Sequence, residues 1–243
     1  MAVSEQHVVE PTIDGPSIGL VGQFVIFAGL ATSVGLGSAG WLIGTAYAVV
    51  LCVALTRAMH RSGTHMLGPA NRVTLFRALL VGGVLALVAD SLRGPTPVAT
   101  MVAFAAVALV LDGVDGKVAR RTGTSTALGA RFDMEIDAIL ILGLSVYVGE
   151  RLGWWVLAIG ALRYAFVAGQ QIMPWLRGRL PHRYSRKVVA ATQGIVLVVA
   201  ASGVLPQILA IVAVAAALAT LGWSFGRDTH WLWREKSLTR ASR

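Results

Sequence analysis

The chain has 243 residues, of which 56% are apolar and only 14% charged, with 27 glycines besides. Soluble domains carry about 25% charged residues, so this composition excludes a disordered chain and argues against a soluble globular one. Lys and Arg outnumber Asp and Glu by 21 to 12, a net charge of +9 that admits nucleic acid, anionic lipid or an anionic substrate until the charges are placed; the single cysteine, Cys52, excludes a disulfide framework.

The N-terminal segment 1–16 is polar and mildly acidic and reads as a tail. Eight apolar stretches follow, long enough or nearly so to cross a hydrocarbon core of about 30 Å. In chain order they are Ile18–Gly37, Trp41–Thr56, Val73–Leu92, Pro97–Leu111, Met134–Gly149, Gly153–Ile172, Val188–Val204 and Gln207–Phe225. The first is not a secretory signal, because no Lys or Arg precedes Arg57. An even number of spans puts both termini on one side. The connecting segments then place all but three of the 21 cations on that side: Arg93 and Arg151 fall opposite, and Arg163 lies within the sixth span. By the positive-inside rule the cation-rich side is cytoplasmic. The basic charge therefore reports membrane orientation, and nucleic acid loses its support as a partner. The expected architecture is all-α, a polytopic membrane helix bundle. Trp154, Trp155, Trp223, Trp231 and Trp233 fall near the interfaces as an aromatic belt, and His60, His65 and His182 read as loop residues without ligand spacing. Arg163 in mid-span requires a partner, and Glu135 is the expected one.

Five of the 12 acidic residues, Asp112, Asp115, Asp133, Glu135 and Asp137, fall in one short stretch at the ends of the fourth and fifth spans. Asp112 and Asp115 are three apart and Asp133 and Asp137 four apart, so each pair occupies one face of a helix. A short connection makes the two helices antiparallel neighbours, and four carboxylates can converge on one point. Oxygen ligands without His or Cys suit Mg²⁺ or Mn²⁺ rather than zinc. Such a site suits a diphosphate, with one carboxylate free to take a proton from an attacking hydroxyl. The competing reading is a set of helix-end carboxylates balanced by Arg120, Arg121 and Arg131. Gly116, Ala119 and Gly129 on the same faces leave clearance either for a bulky ligand or for close helix packing.

Asp112, Asp115, Gly116, Ala119, Arg120, Gly129, Asp133 and Asp137 together fill the pattern D-x2-D-G-x2-A-R-x8-G-x3-D-x3-D. In this the stretch resembles the signature of the CDP-alcohol phosphotransferase family. The resemblance implies a six-helix catalytic core, here the spans from Val73 onward, plus two extra N-terminal transmembrane helices. It divides the chain into the tail 1–16, the extra helices 17–60, the core 61–227 and a basic C-terminal tail 228–243. It implies transfer of a phosphatidyl or similar group from a CDP-alcohol, CDP-diacylglycerol in particular, to a hydroxyl acceptor, with release of CMP, in phospholipid biosynthesis. Asp112, Asp115, Asp133 and Asp137 would hold two Mg²⁺ or Mn²⁺ ions, with Asp137 also the catalytic base. Gly116, Ala119, Arg120, Thr126 and Gly129 would form the CDP-alcohol site. A second family element, Pro-Asn-x-x-Thr-x-x-Arg, corresponds to Pro69, Asn71, Thr74 and Arg77, with Ala70 inserted after the proline. Asn71 and Thr74 keep their spacing and join the CDP-alcohol contacts or cap the helix. A homodimer is also implied by the resemblance.

The acceptor stays open among glycerol 3-phosphate, an inositol phosphate, an uncharged polyol and an amino alcohol. Arg131, beside the aspartates, and Arg183, Arg186 and Lys187, in the basic loop before the seventh span, are candidates for an acceptor phosphate; the loop equally suits an anchor on anionic lipid. Two other readings use the same carboxylates. An intramembrane prenyltransferase also holds a diphosphate on Mg²⁺, but its two Asp-rich motifs normally lie far apart in the chain. A divalent-cation transporter requires acids along a path, and Glu135 is the one acid at depth.

Overall fold

In the computed structural model the described residues are 15–62, 69–122, 127–178 and 184–241 for the backbone, and 17–57, 59–60, 72–114, 129–176, 178 and 185–235 for side chains. Among them the fold is entirely helical. The order is α1 Gly15–Ser33, α2 Ser38–Ser62, α3 Pro69–Ser91, α4 Val98–Thr122, α5 Ala127–Leu152, α6 Leu157–Ile172, α7 Tyr184–Ser202 and α8 Gln207–Ala241, with 3₁₀ turns at Trp154–Val156 and Pro174–Arg177. Each helix coincides with one apolar stretch of the sequence. Within α2, α3, α7 and α8 the segments Ser38–Arg57, Arg72–Ser91, Ser185–Ser202 and Gln207–Glu235 are long and apolar enough to cross a membrane, and Ser17–Ser33 and Val98–Val114 are shorter apolar helices. Helices α5 and α6 are less uniformly apolar, because Asp133, Glu135, Asp137 and Arg163 interrupt them.

Local chemistry sets the boundaries. Pro69 opens α3, Pro174 opens the second 3₁₀ turn, and Pro97 and Pro206 stand directly before α4 and α8. A proline has no N–H to leave unsatisfied at these positions, and its φ is already helical. Gly35 and Gly203 end α1 and α7 with φ of 75° and 69°, a conformation that costs a residue with a Cβ about 1 kcal/mol or more.

Helix α3 is the axis of the bundle. Of its segment Arg72–Ser91, 72% is buried, against 22–39% for the corresponding segments of α2, α7 and α8. It packs against α1, α2, α4 and α5. Lipid tails are as apolar as leucine, so helices in a membrane associate through close packing and polar contacts rather than hydrophobic exclusion. Both devices are present. A Cβ on Gly143 of α5 would lie 2.6 Å from Leu85 of α3, and one on Gly160 of α6 would lie 2.6 Å from the backbone of Leu142. The fully buried Gln23 of α1 lies over Gly82 of α3 and donates to the Leu79 carbonyl at 3.2 Å.

The α1–α2 hairpin is also held at its far end. The carboxylate of Asp90, near the end of α3, accepts from the Gly37 N–H at 2.7 Å and the Gly40 N–H at 2.6 Å. These amides sit at the start of α2, where helix N–H groups lack partners and the helix dipole favours an anion.

Helix α8 runs on past the apolar stretch Gln207–Phe225 and through most of the segment 228–243, unbroken to Ala241. Its 35 residues reach about 52 Å at 1.5 Å per residue, well past a core of about 30 Å. The continuation is held by packing: Leu232 is 2% exposed and lies against Gly178, and Asp228 pairs with Arg186 of α7 at 2.9 Å.

The capping of α2 predicts that Asp90→Ala destabilises the protein by about 2 kcal/mol, since a cap and a charge-assisted hydrogen bond are lost together. Thermal unfolding in detergent should show a lowered midpoint for Asp90→Ala and an intermediate one for Asp90→Asn. Equal midpoints for wild type and Asp90→Ala would remove the carboxylate from this role.

Candidate active site

Three helices bring charged side chains to one end of the bundle. Asp112 is on α4, Asp133 and Asp137 are one turn apart on α5, and Arg77 is on α3, one turn beyond the buried Thr74. The apolar residues between them fix the register. Ile136 and Leu140 of α5 and Ala78 and Val81 of α3 are buried, which leaves Asp133 and Asp137 on a flank of α5 that turns toward Arg77.

Arg77 is the centre of the cluster, with no exposed surface. Its Nη1 donates to Asp112 Oδ1 at 2.8 Å. Its Nη2 donates to the Asp133 carboxylate and to the Asp133 backbone carbonyl, the latter at 3.2 Å, and stands 3.2 Å from Asp137 Oδ1. One guanidinium thus ties α3 to both acidic helices. The three carboxylates stay 33–39% exposed, so their outer sides remain open to a further ligand while their inner sides rest on the cation. One oxygen of each lies within 4.8 Å of the others. That set, oxygen-only and anionic, suits a hard divalent cation such as Mg²⁺ or Mn²⁺.

Burial dominates the titration of Asp133, which stands just before the apolar run from Met134. It raises the pKa above the ordinary carboxylate range, against the lowering influence of Arg77, and the nearby Asp112 adds to the rise. A second cation at the open side would oppose that rise.

The structure collects three of the four expected metal ligands. The backbone of Asp115 lies on α4 three residues beyond Asp112, but its side chain falls outside the described residues, as do those of Asn71, Ala119 and Arg120 and the position of Gly116 beyond its backbone. Thr126 and Arg183 lie outside them altogether. Thr74 is buried beside the cluster and Gly129 is half-buried one turn before Asp133. Of the candidate acceptor residues, Arg131 and Lys187 are exposed, and Arg186 is engaged by Asp228. Glu135 points away from the aspartate face and pairs with Arg163 of α6, as the mid-span arginine required.

Sequence reasoning missed the role of Arg77. It stood in the second motif but was counted among the loop cations, and Arg120, Arg121 and Arg131 were weighed as the balancing charges. Its position inside the apolar run from Val73 was the signal, because an arginine there must find acids.

Residues 67–223 match the CDP-alcohol phosphatidyltransferase family, a segment that contains Arg77 and every aspartate of the cluster and leaves α1 and α2 outside. No curated protein and no solved structure matched the chain. With well over half of its length matched, this helical membrane protein belongs to the CDP-alcohol phosphatidyltransferase family, transferases that move a phosphatidyl group from a CDP-alcohol to a hydroxyl acceptor.

Proposed function

We propose that the protein transfers the phosphatidyl group of CDP-diacylglycerol to a hydroxyl acceptor and releases CMP, as a step of phospholipid synthesis at the cytoplasmic face of the membrane. The observation that carries this reading is the convergence of Asp112, Asp133 and Asp137 from two helices on one side of a buried arginine. The cation-rich segments support the cytoplasmic placement of that end and of both termini.

Asp112, Asp133 and Asp137, with Asp115, would hold Mg²⁺ or Mn²⁺, and the metal when bound supplies neutralisation of the diphosphate charge. The acceptor hydroxyl oxygen attacks the phosphorus that bears the diacylglycerol oxygen. A new P–O bond forms, the bond to the bridging oxygen breaks, and CMP leaves with that oxygen. The hydroxyl proton goes to Asp137, whose partly open carboxylate can reach an incoming alcohol. Arg77 holds the carboxylates together before any ligand arrives. Thr74, Asn71, Gly116, Ala119, Arg120, Thr126 and Gly129 are proposed contacts of the CDP-alcohol. Exposed Arg131 and Lys187 support an anionic acceptor such as glycerol 3-phosphate or an inositol phosphate.

Two measurements test this. Purified protein with CDP-diacylglycerol, Mg²⁺ and a panel of acceptors should release CMP, and EDTA should abolish the release. Asp137→Asn should lower the rate by about 100-fold or more, the usual worth of a positioned base; wild-type turnover in that variant would sink the base assignment. Arg77→Met should lower the metal-free thermal midpoint, because truncating a buried charge with its partners left behind costs about 3–5 kcal/mol. Mg²⁺ should then recover more stability in Arg77→Met than in wild type, since it replaces the missing positive charge. An equal Mg²⁺ response in the two proteins would exclude Arg77 as the counter-charge of the ligand set.

A further inference from the structure

The α1–α2 hairpin lies outside the family match, yet two of its side-chain hydrogen bonds into α3 converge beside Arg77. Tyr47 of α2, buried, donates from its hydroxyl to the Ala78 carbonyl at 2.9 Å. Gln23 of α1, wholly buried, donates to the Leu79 carbonyl at 3.2 Å. These are the two carbonyls that directly follow Arg77 in the chain. Consecutive helix residues point about 100° apart, so two helices grip α3 from two directions at one level. A single such bond would fix the height of that turn. Two bonds on different sides fix its rotation as well.

The packing around the bonds is specific to them. Gly82 leaves the space in which the Gln23 amide lies, and a Cβ there would collide with it. Gly22 of α1 meets Leu79 from the same side, where a Cβ would approach Leu79 to 2.7 Å. On the other flank of α3 the Arg77 guanidinium touches three carboxylates, at 2.8 Å to Asp112 and 3.2 Å to Asp137. Rotation or sliding of that turn would shift the guanidinium relative to all three.

We propose that the hairpin is a positioning element for the active site: Tyr47 and Gln23 lock the turn of α3 that carries Arg77, and thereby hold the guanidinium against Asp112, Asp133 and Asp137. The inference rests on the metal-dependent transferase reading above. Tyr47 and Gln23 touch neither substrate nor metal and act through Arg77.

The test compares the full-length wild type, Tyr47→Phe/Gln23→Leu, Arg77→Met and the triple variant. The readout is the rise in thermal midpoint on replacing EDTA by saturating Mg²⁺, with CMP release measured in parallel. If the hairpin positions Arg77, the double variant shows a larger Mg²⁺-induced rise than wild type, in the direction of Arg77→Met and by about twofold. In the triple variant the rise equals that of Arg77→Met alone, the non-additivity of groups that act through one another. A double variant whose midpoints with and without Mg²⁺ fall in parallel shows that the hairpin is merely docked, and overturns the proposal. So does a triple variant in which the two effects add. Should the double variant fail to fold, Tyr47→Phe alone, which keeps the ring and loses only the hydroxyl, is read by the same criteria. A wild type that neither releases CMP nor responds to Mg²⁺ overturns the transferase reading, and this one with it. A responsive wild type beside an unchanged double variant overturns the positioning role alone.

Discussion

A guanidinium with no exposed surface at the end of a membrane helix bundle constrains everything around it. Taken alone, Arg77 would be an uncompensated buried charge, and three carboxylates within 4.8 Å of one another would repel. Each group makes the other tolerable, and the solution needs α3, α4 and α5 at fixed separations. A buried ion pair seldom adds net stability over an apolar substitute of similar volume. Its presence here goes with the carboxylates, a set that could hold a cation and that no apolar residue can replace in that role. Three carboxylates against one guanidinium leave an anionic excess. The site is balanced enough to fold and anionic enough to bind.

The separations are set by glycine. Gly143 brings α5 onto α3 at Leu85, Gly160 brings α6 onto the α5 backbone at Leu142, and Gly194 brings α7 onto α4 at Leu109, where a Cβ would lie 2.7 Å away. Where lipid gives helices no hydrophobic reason to associate, such contacts and buried amide bonds carry the packing. Gln193 of α7 repeats on the far side what Gln23 does near α3: it is buried and donates to a carbonyl of the next helix, Ala217, at 3.0 Å. The helices that carry the aspartates thus lie between two hairpins, one tied to α3 by Gln23 and the other braced internally by Gln193.

Much of this was legible in the residue order. Apolar run length marked all eight helices, and prolines marked several of their starts. The spacing of Asp112 with Asp115 and of Asp133 with Asp137 marked the candidate site because three- and four-residue intervals translate directly into a helix face. The pairing of Glu135 with Arg163 was legible because an intramembrane arginine has few possible partners. Arg77 was legible only in part: its place inside the apolar run from Val73 calls for acid partners, but the run does not say which acids face it. The length of α8 past Phe225 is less legible, because the composition turns polar there and the burial of Leu232 and Asp228 depends on Gly178 and Arg186, far away in sequence.

The placement of the acids also separates the transferase from a cation carrier built of the same helices. A carrier needs anionic stations along a path, so that an ion leaving one finds another. Thirteen residues along α3 from Arg77, about 20 Å at 1.5 Å per residue, the carboxylate is Asp90, and both of its oxygens are committed to the amides that open α2. Glu135, between Asp133 and Asp137 in α5 and so at the level of the cluster, is bound to Arg163. Among the described residues the acids lie toward the two ends of the helices, the cluster at one end and Asp90 and the exposed Glu150 at the other, and none lies at intermediate depth to relay an ion between them. A cluster at one end suits chemistry on a headgroup at a membrane surface, where a lipid-borne donor arrives from the bilayer and the acceptor from water.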